Sequence, residues 1–183
     1  MVKAVEDVRK RLLRVVAAFK SAGIPYAIAG GNAVASWVAT IDKGAVRNTT
    51  DVDVLIRRAD FDRVKSALAS AGFVHRHVAG IDAFLDGSQG SFREAVHILF
   101  ATEKVRPTDA WPNPDVVPAF DNGDFDVLEL EPLVRVKLSV FRRKDQVHLL
   151  DMIEVGLIDA SWPTRFPPDL ANRLQLLLDT PEG

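Results

Sequence analysis

The chain has 183 residues, 48% of them hydrophobic and 26% charged, with a formal net charge of −2. This is globular composition that argues against disorder, and the length suits one well-filled core. Having no cysteine, the chain cannot form disulfides or thiolate zinc sites, and its small net charge gives no ground to expect duplex DNA or a membrane surface as partner.

At the N-terminus, charged and apolar residues alternate from Met1 to Lys20, unlike a signal peptide, and no later run reaches membrane-spanning length. The expectation is a soluble cytoplasmic protein. Val5, Val8, Leu12, Val15, Val16 and Phe19 recur at helical spacing, and Gly23 with Pro25 should end that helix. Tyr26 to Ala29 reads as a buried strand running into a Gly30-Gly31 turn. Asn32 is a candidate cap for a helix through roughly Ala39, followed by a polar loop from Asp42 to Thr50.

Asp51 to Ile56 reads as a strand with a polar start. Asp60 is a candidate N-cap for a helix bearing Phe61, Val64, Leu68 and Ala71, with Gly72 as its end and a strand over Phe73 to Val78. Asp82 to Ser91 resists assignment because it mixes two glycines with polar residues. A strand resumes over Arg93 to Phe100. Four prolines between Arg106 and Pro118 predict an irregular connection. One more short strand is expected over Phe125 to Leu130. Glu131-Pro132 then opens a helix with Pro at its first position, burying Leu133, Val136, Leu138, Val140 and Phe141. Further helices are expected from Asp145 to Gly156 and from Pro168 to Leu178. The order implies an α+β fold, with a core over residues 1–130 and a helical C-terminal region, 131–183, packed on it rather than independent.

Asp51 and Asp53, two apart on a strand, direct both carboxylates to one face. Such a pair repels, and a hard divalent cation such as Mg²⁺ resolves the repulsion while also taking phosphate oxygens. Gly30-Gly31, between a strand and a helix, lets backbone N–H groups approach a phosphate at the helix N-terminus. Each half is common alone; the order strand, Gly-Gly, helix, loop, Asp-x-Asp strand is more specific.

The strings Ile28-Ala-Gly-Gly31 and Arg47-Asn-Thr49-Thr-Asp51-Val-Asp53-Val-Leu-Ile resemble the signature of the nucleotidyltransferase fold superfamily, notably its small bacterial AbiEii-like members. Lys137, Arg142, Lys144-Asp145 and His148-x-x-Asp151 are similar to the C-terminal helices of such proteins. The resemblance implies a mixed β-sheet flanked by helices, with C-terminal helices packed on it. It also implies an NTP as partner, with Asp51 and Asp53 binding Mg²⁺, or alternatively Mn²⁺. Gly30, Gly31, Asn32, Arg47, Thr49 and Lys137 are the implied phosphate-side residues. The implied reaction is transfer of a nucleotidyl group to an unidentified acceptor (a small molecule, a protein hydroxyl or an RNA end) with release of pyrophosphate.

Three features depart from the pattern. Asn32 stands where many active members have Ser, and the stretch from Gly31 to Asp51 is long. A third carboxylate is also expected on a later strand, where this chain has His97. Imidazole suits Mn²⁺ or Zn²⁺ better than Mg²⁺ and can act as a base. Glu94 is a fallback carboxylate that a regular strand would direct to the opposite face, and Asp82 and Asp86 are others.

Competing expectations stand beside these. Arg47 is a surface charge, a phosphate ligand or a partner of an Asp. Lys137 is by default on a solvated helix face, and His148 with Asp151 forms a structural pair. Trp111 and Trp162 pack the C-terminal part. A nucleotide-binding regulator or toxin–antitoxin-like component without catalysis is the second functional expectation, and a metal-dependent phosphohydrolase the third.

Overall fold

The computed structural model describes residues 2–180. Helix α1 (Val2–Ala22) buries Val8, Leu12, Val15, Val16 and Phe19 of the stripe its spacing predicts, whereas Val5 is exposed. It closes at Gly23, whose φ of +60° suits a residue without Cβ. β1 (Tyr26–Ile28) is buried throughout and leads into α2 (Gly30–Ala39). That helix begins three residues earlier than expected. Asn32 is therefore its third residue, not its cap, and the capping position, Ala29, makes no side-chain bond.

β2 (Val52–Ile56) and α3 (Phe61–Ser70) follow. Asp60 occupies the N-cap position of α3 as expected but makes no side-chain capping bond; its carboxylate pairs with Arg63 at 2.7 Å instead. β3 (Phe73–Val78) then turns through Ala79 and Gly80, both with positive φ, into β4 (Ile81–Asp86). This strand occupies the segment from Asp82 that resists assignment by pattern. Asp82 to Leu85 are consecutively buried, so the strand shows no alternation of polar and apolar residues.

β5 (Val96–Phe100) is preceded by a short 3₁₀ turn over Phe92–Glu94, where a longer strand is expected. The proline-rich connection leads to β6 (Ala119–Asp121), a strand of three residues not anticipated by pattern, and β7 (Asp126–Leu128) pairs beside it. The seven strands form one mixed sheet in the order β3-β4-β5-β2-β1-β7-β6. β2 runs parallel to β5, and β1 antiparallel to β2.

The C-terminal helices are α4 (Leu130–Val140), α5 (Arg143–Glu154) and α6 (Pro168–Asp179). Pro132 is the third residue of α4 rather than the first. Asp145 is likewise inside α5, where it accepts from the backbone N–H of Arg142 at 3.2 Å and so caps the helix from its third position. A single apolar cluster runs from Phe19 of α1 through Ile28 and Val54 of the sheet to Leu133, Leu149 and Leu174 of these helices. Among the described residues, no helix is long and apolar enough to cross a membrane.

Candidate functional site

The site lies where β1 ends and β2 and β5 begin. Val52 and Val54 are fully buried on one face of β2, so alternation sends the Asp53 side chain to the other. Parallel pairing sets Asp53 opposite His97, and Asp51 precedes the strand on the side of Asp53. Ligand atoms of Asp51, Asp53 and His97 all lie within 4.8 Å of one another, and among the described residues this is the group of acidic and histidine side chains so placed. Each is partly exposed, by 17–20% of its side chain, which leaves the group reachable from solvent.

Local braces hold each member. The Ala29 N–H donates to the Asp53 carbonyl at 2.9 Å, which pins the glycine turn against the acidic strand. Gly30 has a φ of +60°, and a Cβ there would lie 2.6 Å from Cγ of Asp53. A Cβ on Gly31 would meet Thr49 at 3.0 Å. The Gly-Gly pair thus makes room for Asp53 and Thr49, a packing demand additional to any approach of phosphate. The Thr49 hydroxyl donates to Asp51 at 2.5 Å, and the Asn32 amide donates to the Asp51 carbonyl at 2.8 Å. Arg11 of α1, which is buried, donates to the Thr50 carbonyl at 3.1 Å. Asn32 is therefore a brace of the acidic loop, as is Arg11, a residue the sequence reading passed over as part of an amphipathic helix.

Electrostatics separate the members of this group. Burial works to raise the Asp51 carboxyl, but the Thr49 hydroxyl and the Lys144 ammonium outweigh it and hold Asp51 below its ordinary value. Hydrogen bonding to Asp53 raises the His97 imidazole above its ordinary value, with burial opposing. Nε2 of His97 faces the Phe92 carbonyl at 3.1 Å and must carry the hydrogen, because a carbonyl only accepts. Nδ1 faces Asp53, 3.5 Å from its Oδ1. An imidazole braced at Nε2 by a backbone carbonyl, with Nδ1 turned towards the carboxylates, is arranged as a metal ligand with its supporting bond in place. Two carboxylates and one imidazole therefore fit a divalent cation.

The remaining expected residues divide. Lys137 is buried, contrary to a solvated helix face, and its Nζ pairs with Asp145 at 3.1 Å. With Gly30, Asp53, Arg106, Arg142 and Asp145 it lines a cavity of about 70 Å³ beside the acidic strand. It was misplaced because the apolar stripe of α4 also takes in Val134, and burying a lysine requires a partner from another helix. Nε of Arg47 donates to both carboxylate oxygens of Asp151 of α5, at 2.7 and 2.9 Å, which places it among the Asp-pairing options and leaves Asp151 engaged by Arg47, not His148. Glu94 is exposed in the turn before β5. Asp82 pairs with Ile98 in the sheet and so faces away from His97, where it accepts from His75 and His77. Asp86 is paired with Arg14 and Arg11. Trp162 is buried in the core, and Trp111 ties the connection to the C-terminal helices through Ser139 and Asp169.

His148 of α5 is buried, with no partner at Nδ1. Burial, then Lys137 and Lys144, push its imidazole down to about 4. The folded chain therefore keeps the ring neutral while the unfolded chain protonates it near its ordinary value of 6.5. As pH falls through that window the unfolded state binds the extra proton, so stability declines between about pH 6.5 and about pH 4. His148→Gln is expected to remove about 2 kcal/mol of the stability lost between about pH 8 and about pH 5. Thermal melts across that range would show a flatter decline, and an unchanged slope would refute this reading of His148.

A glycine turn at a helix N-terminus stands beside two convergent carboxylates at the start of a central strand, an arrangement whose chemistry suits phosphate and a cation together. Residues 3–123 match the family described as "Uncharacterised nucleotidyltransferase", and the chain belongs to that family. No curated protein matches it. Among solved structures, that of the antibiotic-resistance factor ANT(2'')-Ia is similar. It is 12% identical, the match covers 91% of this chain and 86% of that one, and the TM-score is 0.47.

Proposed function

We propose that the protein is a metal-dependent nucleotidyltransferase that moves a nucleotidyl group from an NTP to an acceptor hydroxyl and releases pyrophosphate. The convergence of Asp51, Asp53 and His97 beside the start of α2 carries this reading. Asp51 and Asp53 would hold Mg²⁺ or Mn²⁺, with Nδ1 of His97 completing the protein ligands. Such an ion, when bound, neutralises charge on the triphosphate and on departing pyrophosphate. Gly30 and Gly31 present backbone N–H groups to the phosphates at the helix N-terminus. Lys137 and Arg142 border the cavity next to Gly30 and add positive charge on that side, moderated by Asp145. Thr49, Asn32 and Arg11 keep the acidic loop in place. The acceptor oxygen attacks the α-phosphorus, the bond to the bridging oxygen breaks, pyrophosphate leaves, and the hydroxyl proton is released to solvent.

The test is incubation with labelled NTPs, Mg²⁺ or Mn²⁺, and cell extract or total RNA. Label transfer with pyrophosphate release is expected. The absence of transfer with either metal, together with the absence of metal–NTP binding by calorimetry, would overturn the proposal, whereas binding without transfer would favour the regulator. Imidazole is a better ligand for Mn²⁺ than for Mg²⁺. His97→Asp is accordingly expected to shift the ratio of kcat/KM with the two metals about tenfold towards Mg²⁺. An unchanged ratio would return His97 to a packing role.

A further inference from the structure

Four cations of the loop and C-terminal helices surround the acidic strand, and three are held by carboxylates outside the proposed metal ligands. Lys137 and Arg142 share Asp145, and Arg47 holds Asp151. Lys144 differs. Its Nζ straddles the Asp51 carboxylate, 3.3 Å from Oδ1 and 3.2 Å from Oδ2. Its side chain is 53% exposed and sits in the first turn of α5, so its four-carbon stem can swing without repacking the core.

We infer that Lys144 is a placeholder cation that couples the two halves of the substrate. It competes with a free divalent ion for Asp51, and on displacement it turns to the triphosphate of a metal–NTP chelate. This coupling rests on Asp51 serving as a metal ligand, as proposed above. Two cations on one carboxylate repel, so an ion arriving alone must expel the ammonium into water and lose its pairing. An ion arriving with a triphosphate brings the ammonium a new and more highly charged partner within reach of the same helix turn. Lys144 is the cation in this group whose counter-charge is withdrawn when the site fills; the other three keep theirs. The ligand class favoured is therefore the chelate over either the bare ion or the bare nucleotide.

The test compares full-length wild type, Lys144→Met and Lys144→Arg. Free Mn²⁺ is titrated by electron paramagnetic resonance, and Mn²⁺ with a non-hydrolysable NTP analogue by calorimetry. Lys144→Met is expected to bind free Mn²⁺ about tenfold more tightly and the Mn²⁺–analogue chelate about tenfold more weakly, whereas Lys144→Arg stays near wild type. Opposite signs in one variant distinguish this role from a structural one, which would weaken both. If wild type binds the chelate but Lys144→Met leaves free Mn²⁺ affinity unchanged or lower, the placeholder role is refuted and the metal site stands. If neither protein binds Mn²⁺ with or without analogue, the metal site itself is refuted and the placeholder with it.

Discussion

Asp53→Asn should lower nucleotidyl transfer by about three orders of magnitude while leaving the fold intact. Asn has the shape of Asp, so the close packing of residue 53 over Gly30 survives, as does the backbone bond from Ala29 to residue 53. What is lost is the charge, and with it one of the two anionic ligands of the cation. The same loss relieves repulsion from Asp51 while giving up the pairing with His97, so the melting temperature should stay close to level. Falling transfer with a steady Tm is a signature that general destabilisation cannot imitate. Substantial retained transfer would show that chemistry takes place elsewhere.

Gly30→Ala should be comparably damaging for a different reason. The position has a left-handed φ of +60°, which costs an alanine about 1–2 kcal/mol. The added methyl would also collide with the carboxylate of Asp53, contacting Cγ at 2.6 Å and Cβ at 2.8 Å. Either the turn or the acidic strand must move, and a displacement of about 1 Å costs roughly a hundredfold in rate. The expected outcome is a loss of about 2–4 kcal/mol in stability together with at least a hundredfold loss of transfer. Gly72→Ala is the matching control, because it carries a φ of +87° with nothing within 4 Å of the new methyl. It should lose only the conformational part and keep its activity. If Gly30→Ala behaves like Gly72→Ala, the packing of Asp53 on Gly30 is not what the site requires.

The legible parts of the molecule share a physical trait. α1 and α6 were readable because each buries one stripe, which leaves a period in the sequence, and β2 because its short apolar run has a polar start. The Gly-Gly turn and the Asp-x-Asp pair were readable because both are local: alternation along one strand is enough to place two carboxylates on one side. β4 was not readable, since consecutive burial from Asp82 to Leu85 leaves no alternation and Asp82 and Asp86 interrupt its apolar residues. β6 was hidden by its brevity among prolines.

The third corner of the site depends on register. His97 stands beside Asp53 because β5 pairs in parallel with β2 at that residue, and a slip of one position would have turned the imidazole to the opposite face. The cations were harder still to place, because a lysine's position depends on which carboxylate another helix brings within reach. Lys137 looked solvated and is buried against Asp145; Arg47, open in the sequence between surface, phosphate and an Asp partner, is held by Asp151; Lys144 rests on Asp51 across ninety-three positions of chain. Backbone periodicity and short-range spacing are properties of neighbouring residues, and they were enough to place the two acidic side chains and the glycine turn. Strand register and ion pairing exist only once distant segments are packed together, and they determine that His97 and Lys144 stand beside that pair.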